Sequence, residues 1–544
     1  MKCYKLFITL CLISVSFGVK ATNYYINSAE GDDLNKGTTR NQAFKSTKPF
    51  STIALQPGDS ILFAKGQRFV GMLSIVNVSG TSKQPIVIGS YAYKKNKKKP
   101  VLDAGDALNA LLIQNAAFIK VSGIEFTAVQ PYQNNSANTT AELRCGILIT
   151  MTKDEVYENI QVSDVIVHDV YYNKPGFTRS AAETKSANGT QSYGWGIRVI
   201  NNTKLGKLRQ VKIVKAEVYN VSHTGVKATA TTNGIQQLEI AECKVYQTGG
   251  PGMQFSGVTD GHIHHNQIHH SGSTADSRNW GRGSGLWTWG CSNILIEHNR
   301  FEHANGPGDS AGVHIDFNCN DVIVQYNLSA NNAGGFCEIL GNNYNCAYRY
   351  NISINDGHRV KGENGAFQEG KIFWLSGYQG NEKKNAGPYN SYFYNNTVYV
   401  AKGIIPKVAV SSSTKGVFIA NNIFYFETAG KMVAGDQKKV EVDGAGIPNV
   451  VFKNNLYLSK DNWPSDSPLQ DAAAIIGDPS FKKKAGLVMK DYTPTNKSLI
   501  QNKGISIQPI PNDSIGIRIG LTVEKDILGK RIKGLPDMGA IELN

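Results

Sequence analysis

The chain has 544 residues, 57 of them basic and 43 acidic, with a formal charge of +14 and 41% hydrophobic residues. That length exceeds one ordinary globular core and leaves one very elongated domain or two to four globular ones. The basic excess, gathered in runs such as Lys94-Lys95-Asn96-Lys97-Lys98-Lys99, comes without a recognised nucleic-acid motif; it reads as solvated surface, with an anionic glycan as the sharper alternative.

In chain order, residues 1–21 read as an export signal. Lys2 and Lys5 precede an apolar run from Leu6 to Gly18, too short to span a bilayer, and Val19-Lys20-Ala21 forms a cleavage site. A secreted or periplasmic protein with no membrane span is expected. Residues 22–110 alternate strand and turn, and read as an N-terminal cap with the first coils of a repeat. Residues 111–465 carry the repeat itself, and 466–544 a last coil or coils and a C-terminal segment that closes the far end.

The repeat is a unit of alternating apolar residues, an Asn, and more alternation, as in NILIEHNRFEHA (293–304), DVIVQYNLSANN (321–332) and GVFIANNIFYFE (416–427). The Asn recurs at Asn266, Asn299, Asn327, Asn351, Asn396, Asn422 and Asn455, with gaps of 24 to 45 residues. Short strands at that period describe a solenoid, in which each coil buries its inward residues only by stacking on the next. The Asn residues are assigned to architecture: Asn tolerates left-handed turns, and stacked amides bond coil to coil.

A second unit has a Gly followed by alternating residues: GIRVI (196–200), GVKAT (225–229), GMQFS (252–256), GLWTW (285–289), GVHID (312–316) and, shifted by one, GGFCE (334–338). The third and fifth residues point outward from a strand whose second and fourth point in. One outward column then holds Arg198, Lys227, Gln254, Trp287, His314 and Phe336; the other holds Ile200, Thr229, Ser256, Trp289, Asp316 and Glu338. In this register Asp316 and Glu338 stand side by side on neighbouring strands about 4.8 Å apart, close to the ~5–5.5 Å that a retaining glycosidase needs between its carboxyls. Asp316 and Glu338 are therefore the catalytic candidates. His314, Trp287, Trp289, Asp309, Lys227, Arg198 and Gln254 are the candidates for holding substrate, the Trp rings by stacking on sugars and the cations by contact with a uronate or sulfate.

The cluster HIHHNQIHH (262–270) alternates as a strand does and reads as outward polar filler, not a metal site. Six Cys remain after the leader: Cys145, Cys243, Cys291, Cys319, Cys337 and Cys346. None forms a CxxC pair; buried thiols are expected, with one disulfide among the last three as the alternative.

The N-terminal YYINSAEGDDLNKGT, PFSTI and LQPGDSILFAKG, the Asn-bearing coils and the terminal PDMGAIE resemble secreted bacterial right-handed parallel β-helix proteins of polysaccharide degradation. The resemblance implies an all-β, single-stranded right-handed parallel β-helix with an N-terminal cap and a C-terminal closing segment. Over 312–354 the sequence is similar to the active-site coils of β-helix glycoside hydrolases of the β-xylosidase type, which implies Asp316 as nucleophile and Glu338 as acid/base. The leading expectation is a retaining glycoside hydrolase acting on a carbohydrate, an acidic or sulfated one included, as a monomer without cofactor or metal. A polysaccharide lyase on the same fold, with Ca²⁺ and a base among Lys227, His314, Arg198 and Arg359, is the runner-up. A non-catalytic glycan-binding solenoid is the third reading.

Overall fold

The structure, a computed structural model, describes residues 21–132, 143–186, 191–273, 276–436 and 447–543. The leader read from the sequence lies, but for Ala21, outside them. Among the described residues the strands form three sheets of 15, 12 and 14 strands, and every strand pair is parallel. Successive strands of one sheet belong to successive turns of the chain, so the three sheets are the three walls of a parallel β-helix. The 12-stranded wall, from Leu73–Val76 to Lys431–Met432, carries the Gly-led units.

The interior is a continuous apolar stack. Ile197, Val226, Met253, Leu286, Val313 and Cys337 lie one above another in the core, which explains why an isolated coil has no stable fold of its own. All six described Cys are buried free thiols; the disulfide considered among the last three is not formed. The side chain of Phe336, expected outside, is in the core with Tyr348 and Phe393 at ring distances of 5.6 and 6.0 Å.

The Asn column is an unbroken hydrogen-bond ladder. Asn266 Nδ2 donates to Asn299 Oδ1 at 2.9 Å, Asn299 to Asn327 at 3.0 Å, Asn327 to Asn351 at 3.1 Å, and so on through Asn396 and Asn422 to Asn455, whose amide ends on Asp471 Oδ2 at 2.8 Å. Each amide also donates to an interior carbonyl, for example Asn299 to Ile263 O at 2.9 Å. The left-handed backbone, however, falls one residue earlier than expected. His265, His298, Tyr326, Tyr350, Asn395, Asn421 and Asn454 have φ between 51° and 61°. The ladder Asn owes its place to its amide, and its predecessor makes the corner.

The C-terminal segment does not stop at the end of the helix. Ile475–Ile476 is the last strand of its wall. From there the chain runs back along the outside of earlier coils, where Ile510, Ile517, Leu521 and Ile541 pack with Tyr350, Tyr392, Tyr394 and Phe418. Arg349 Nη1 donates to Gly520 O at 2.6 Å and Tyr326 Oη to Lys525 O at 2.9 Å. These coils have outward aromatic residues that would otherwise face water, so covering them stabilises more than plugging one open end.

Candidate functional site

The outward face of the 12-stranded wall forms a cavity of about 780 Å³ lined by Arg198, Lys227, Gln254, Trp287, His314 and Glu338 along one column. The pairing runs Arg198 to Lys227, Lys227 to Gln254, Gln254 to Trp287 and Trp287 to His314, as the sequence predicts. The second column also holds, from Ile200 through Thr229 and Ser256 to Trp289, and Asp316 follows, its N–H donating to Thr288 O at 2.8 Å.

Glu338 departs from the prediction. Ile315 pairs with Ile339 and Ala311 with Gly335, so Glu338 lies level with His314 and Leu340 with Asp316. The expected register was out by two residues. A two-residue slip leaves a side chain on the same face while changing its neighbour: Glu338 does face the cavity, but diagonally from Asp316. Neighbouring strands at ~4.8 Å and a rise of ~3.3 Å per residue put their Cα atoms about 8 Å apart. The side-by-side pair is replaced by a diagonal one.

Asp309 adds a third carboxyl beside Asp316 and Glu338 on the same cavity, whose fourth, Asp436, is tied to Lys371. It sits in the turn GPGDSAG, where both Asp309 and Ser310 are left-handed, at φ of 47° and 68°. Two such residues in succession are costly, and the surroundings hold them. Arg282 Nη2 pairs with Asp309 Oδ1 at 3.0 Å, Arg359 Nη2 donates to Asp309 O at 2.9 Å, and the Asp309 N–H donates to Gln368 Oε1. Arg282 is held in turn by the carbonyls of Lys185 and Ser186, at 3.1 and 2.9 Å.

The three acids divide electrostatically. Asp309 has its own counter-charge in Arg282. Burial pushes Asp316 up to about 7, with the charge of Asp309 adding to the rise and the Phe317 N–H, which donates to Asp316 Oδ1 at 2.9 Å, opposing it. Burial likewise pushes Glu338 up to about 8, with Asp309 the leading charge and Lys371 opposing. Lys371 is itself tied to Asp436. His314, 2% exposed, is driven down to about 4 by burial, so it is a neutral imidazole at pH 7. Ser284 Oγ lies 3.1 Å from His314 Nδ1, and Glu338 Oε2 is 3.8 Å from the same nitrogen.

Several polar atoms of this cavity are buried without a hydrogen-bond partner: Arg198 Nε, Thr229 Oγ1, Gln254 Oε1, Arg282 Nε, Trp287 Nε1 and His314 Nε2. Buried polar atoms are nearly always bonded, so these six are free to bond water or a polar ligand that enters the cavity. Beside them stands an aromatic rim. Trp289, 41% exposed, meets Phe317 edge-on at 5.8 Å, and Phe317 meets Tyr378 at 5.6 Å. Trp287, in contrast, is buried edge-to-face against His314 at 5.1 Å; it offers a ligand its indole N–H more than its ring face.

Every predicted site residue therefore reaches one cavity: Asp316, Glu338, His314, Trp287, Trp289, Asp309, Lys227, Arg198 and Gln254. Sequence reasoning missed Arg282, Phe317, Phe367, Gln368 and Tyr378, which also line it. Phe317 follows the last residue of its Gly-led unit and was legible as an aromatic beside an acid. The other four come from turns whose course no strand periodicity gives. Among the described residues no group of three or more His, Cys, Asp or Glu side chains is arranged to hold a metal ion. The His-rich strand instead pairs His262 with Glu297 at 2.9 Å and stacks His265 on His298.

Fold and site together define a right-handed parallel β-helix with an acid-bearing cleft, and residues 195–366 match the family described as right handed beta helix region. The chain is similar to the lacto-N-biosidase of Bifidobacterium longum subsp. longum, 25% identical over 96% of this chain and 36% of that protein; it spans about a third of that relative's length. Among solved structures it resembles the GH136 lacto-N-biosidase from Eubacterium ramulus, with a TM-score of 0.50 and 18% identity over 77% of this chain and 68% of the other. It also resembles a PL6 family alginate lyase, AlyGC, with a TM-score of 0.52 and 17% identity over 88% and 59%. These two likenesses establish the right-handed helix; a hydrolase and a lyase share it, so the chemistry rests on the site.

Proposed function

We propose that this protein is an exported glycan-degrading enzyme, a glycoside hydrolase working through Asp309, Asp316 and Glu338. The observation that carries the reading is the division among the three: one carboxyl with its own cation, and two acids that burial raises to about 7 and about 8, all on a cavity rimmed with aromatic rings. Glycoside hydrolysis needs an anion to attack or activate and an acid to donate to the leaving oxygen. Asp309, held by Arg282, suits the anion. Asp316, at the cavity wall, suits the proton donor. Glu338, neutral on the next coil beside His314, suits a second proton carrier that bonds a sugar hydroxyl. The 25% identity to a lacto-N-biosidase supports hydrolysis, and glycans on which lacto-N-biosidases act belong in the first substrate panel.

The diagonal register changes the stereochemical argument. Retention was expected from Asp316 and Glu338 side by side; with Glu338 level with His314 instead, that pairing no longer supplies the argument. Retention is kept in this reading with Asp309 as the partner of Asp316. Asp309→Asn and Asp316→Asn should each lower kcat at least a thousandfold and Glu338→Gln ten- to a hundredfold, and proton NMR of the first product should show the substrate's anomer. Full activity in Asp316→Asn would end the assignment.

A further inference from the structure

The cavity has a second end, chemically unlike the first. Its four lining carboxylates, Asp309, Asp316, Glu338 and Asp436, gather at the coils around Glu338. Three to five strands earlier in the same column stand Arg198 and Lys227, paired neighbours and each 5% exposed. Among the described residues neither has a carboxylate partner. Arg198 Nη1 donates to Gln191 Oε1 at 2.9 Å, and its guanidinium lies 4.0 Å from the centre of the Trp195 ring. Lys227 Nζ lies 4.9 Å from that ring. Trp195 is backed by His223 at 3.9 Å, and His223 by Trp280 at 4.4 Å, so both cations rest on a rigid aromatic stack.

Stacking on a ring stabilises a cation modestly. It does not offset two like charges on adjacent strands, which repel, or the burial of an ammonium with no anion. Around them Arg198 Nε, Thr229 Oγ1 and Gln254 Oε1 are also without partners. A planar donor fork and a point charge side by side on the cavity, with the Thr229 hydroxyl as a further donor, are groups that recognise a carboxylate or sulfate, whereas Gln254 Oε1 can only accept and suits a sugar hydroxyl.

We propose that Arg198 and Lys227, with Thr229, form a subsite for an anionic substituent, a carboxylate or a sulfate ester, on a sugar ring other than the one attacked, with Gln254 Oε1 accepting from a hydroxyl of that ring. Lys227 is three strand spacings from His314, about 14 Å, which separates this subsite from the reacting bond. The proposal rests on the glycan reading for its ligand being a sugar and on these residues alone for its charge. Burial and the neighbouring Arg198 push Lys227 well below the ordinary lysine range; an anion bridging the two raises it again.

The test is calorimetric titration of the full chain with glucuronate, glucose 6-sulfate, glucose and inorganic sulfate at fixed pH and ionic strength. At least one anionic sugar should bind tenfold or more tighter than glucose, and which one does so names the substituent. Lys227→Met and Arg198→Gln should each weaken it at least tenfold, and Lys120→Met, on an exposed strand position, should change nothing. Thermal unfolding confirms that each variant folds; Arg198→Lys, which keeps the charge but loses the fork, is the fallback if Arg198→Gln does not. Equal affinity for glucose and both anionic sugars, sulfate binding as tightly as either sugar, or unchanged affinity in Lys227→Met overturns the proposal. None of the probes contains a glycosidic bond, so this outcome and the outcome of the hydrolysis assays are independent.

Discussion

Replacing Glu338 by Gln separates the protonated acid described here from an ordinary ionised one. In the folded chain burial and the charge of Asp309 raise Glu338 from 4.5 to about 8. Between those two values the unfolded chain releases the proton and the folded chain keeps it. The native state then binds more protons, so its stability falls as pH rises through the window and levels off above about 8. At ~1.4 kcal/mol per pKa unit the ceiling is roughly 5 kcal/mol; with solvent reaching the open cavity, about 2 kcal/mol is the expected loss. Gln has no proton to lose, so Glu338→Gln gains on the wild type by that amount from pH 5 to pH 9. For a chain of this size an unfolding entropy of ~2.1 cal/mol/K per residue converts it to roughly 2 °C in Tm. Calorimetry at half-unit pH steps reads the difference directly. A Tm difference that stays flat with pH, or one that closes as pH rises, would show Glu338 ionised in the fold, and its role as proton carrier would fall with it.

Three further outcomes follow from particular contacts. Arg282→Met removes the counter-charge of Asp309 and one side of its turn, and should cut kcat at least a hundredfold and lower Tm by about 3 °C. Trp289→Ala should raise KM several-fold with little change in kcat, because an exposed rim ring binds ground and transition states alike. Asn327→Ala removes the acceptor used by both the backbone N–H and the amide of Asn299, together with the donor to Ile296 O and Asn351 Oδ1; leaving these buried groups unpaired should cost about 3–5 kcal/mol, read by urea unfolding.

The helix was legible because its constraint is local and repeated. An apolar residue must face inward at every second strand position, and an Asn must meet the next Asn, so both signals return coil after coil. The columns from Arg198 to Asp316 were legible for the same reason. The error at Glu338 shows which signal to follow when two disagree. Aligning Gly312 with Gly334 implies a 22-residue coil. The ladder from Asn327 to Asn351 spans 24 residues, and the structure keeps 24, since Ile315 pairs with Ile339. The Gly is dispensable at that level, where Phe336 stands and turns inward, whereas a ladder Asn is tied to two neighbours. Outward facing survived the error because strands repeat every two residues.

What the sequence left hidden was carried by turns. Arg282, Phe367, Gln368 and Tyr378 reach the cavity through segments whose path depends on contacts with other coils, such as Arg359 on Asp309 O. The pairing of Asp309 with Arg282 across 27 residues had no periodic signature, so Asp309 was legible as a residue to bind substrate or tune Asp316 but not as one that adds its charge to the effect of burial on Glu338 as well. The C-terminal segment supplies the last strand of its wall, as expected, and beyond it its apolar residues answer to outward tyrosines distributed over several coils, a match visible only once those coils are stacked.

The central claim, that this cleft hydrolyses a glycosidic bond, is tested most directly by digesting a glycan panel in heavy-oxygen water and weighing the products. The account predicts that each newly formed reducing end carries one heavy oxygen, and that Asp316→Asn yields no such product. An unsaturated product without heavy oxygen would mean elimination, and would contradict it.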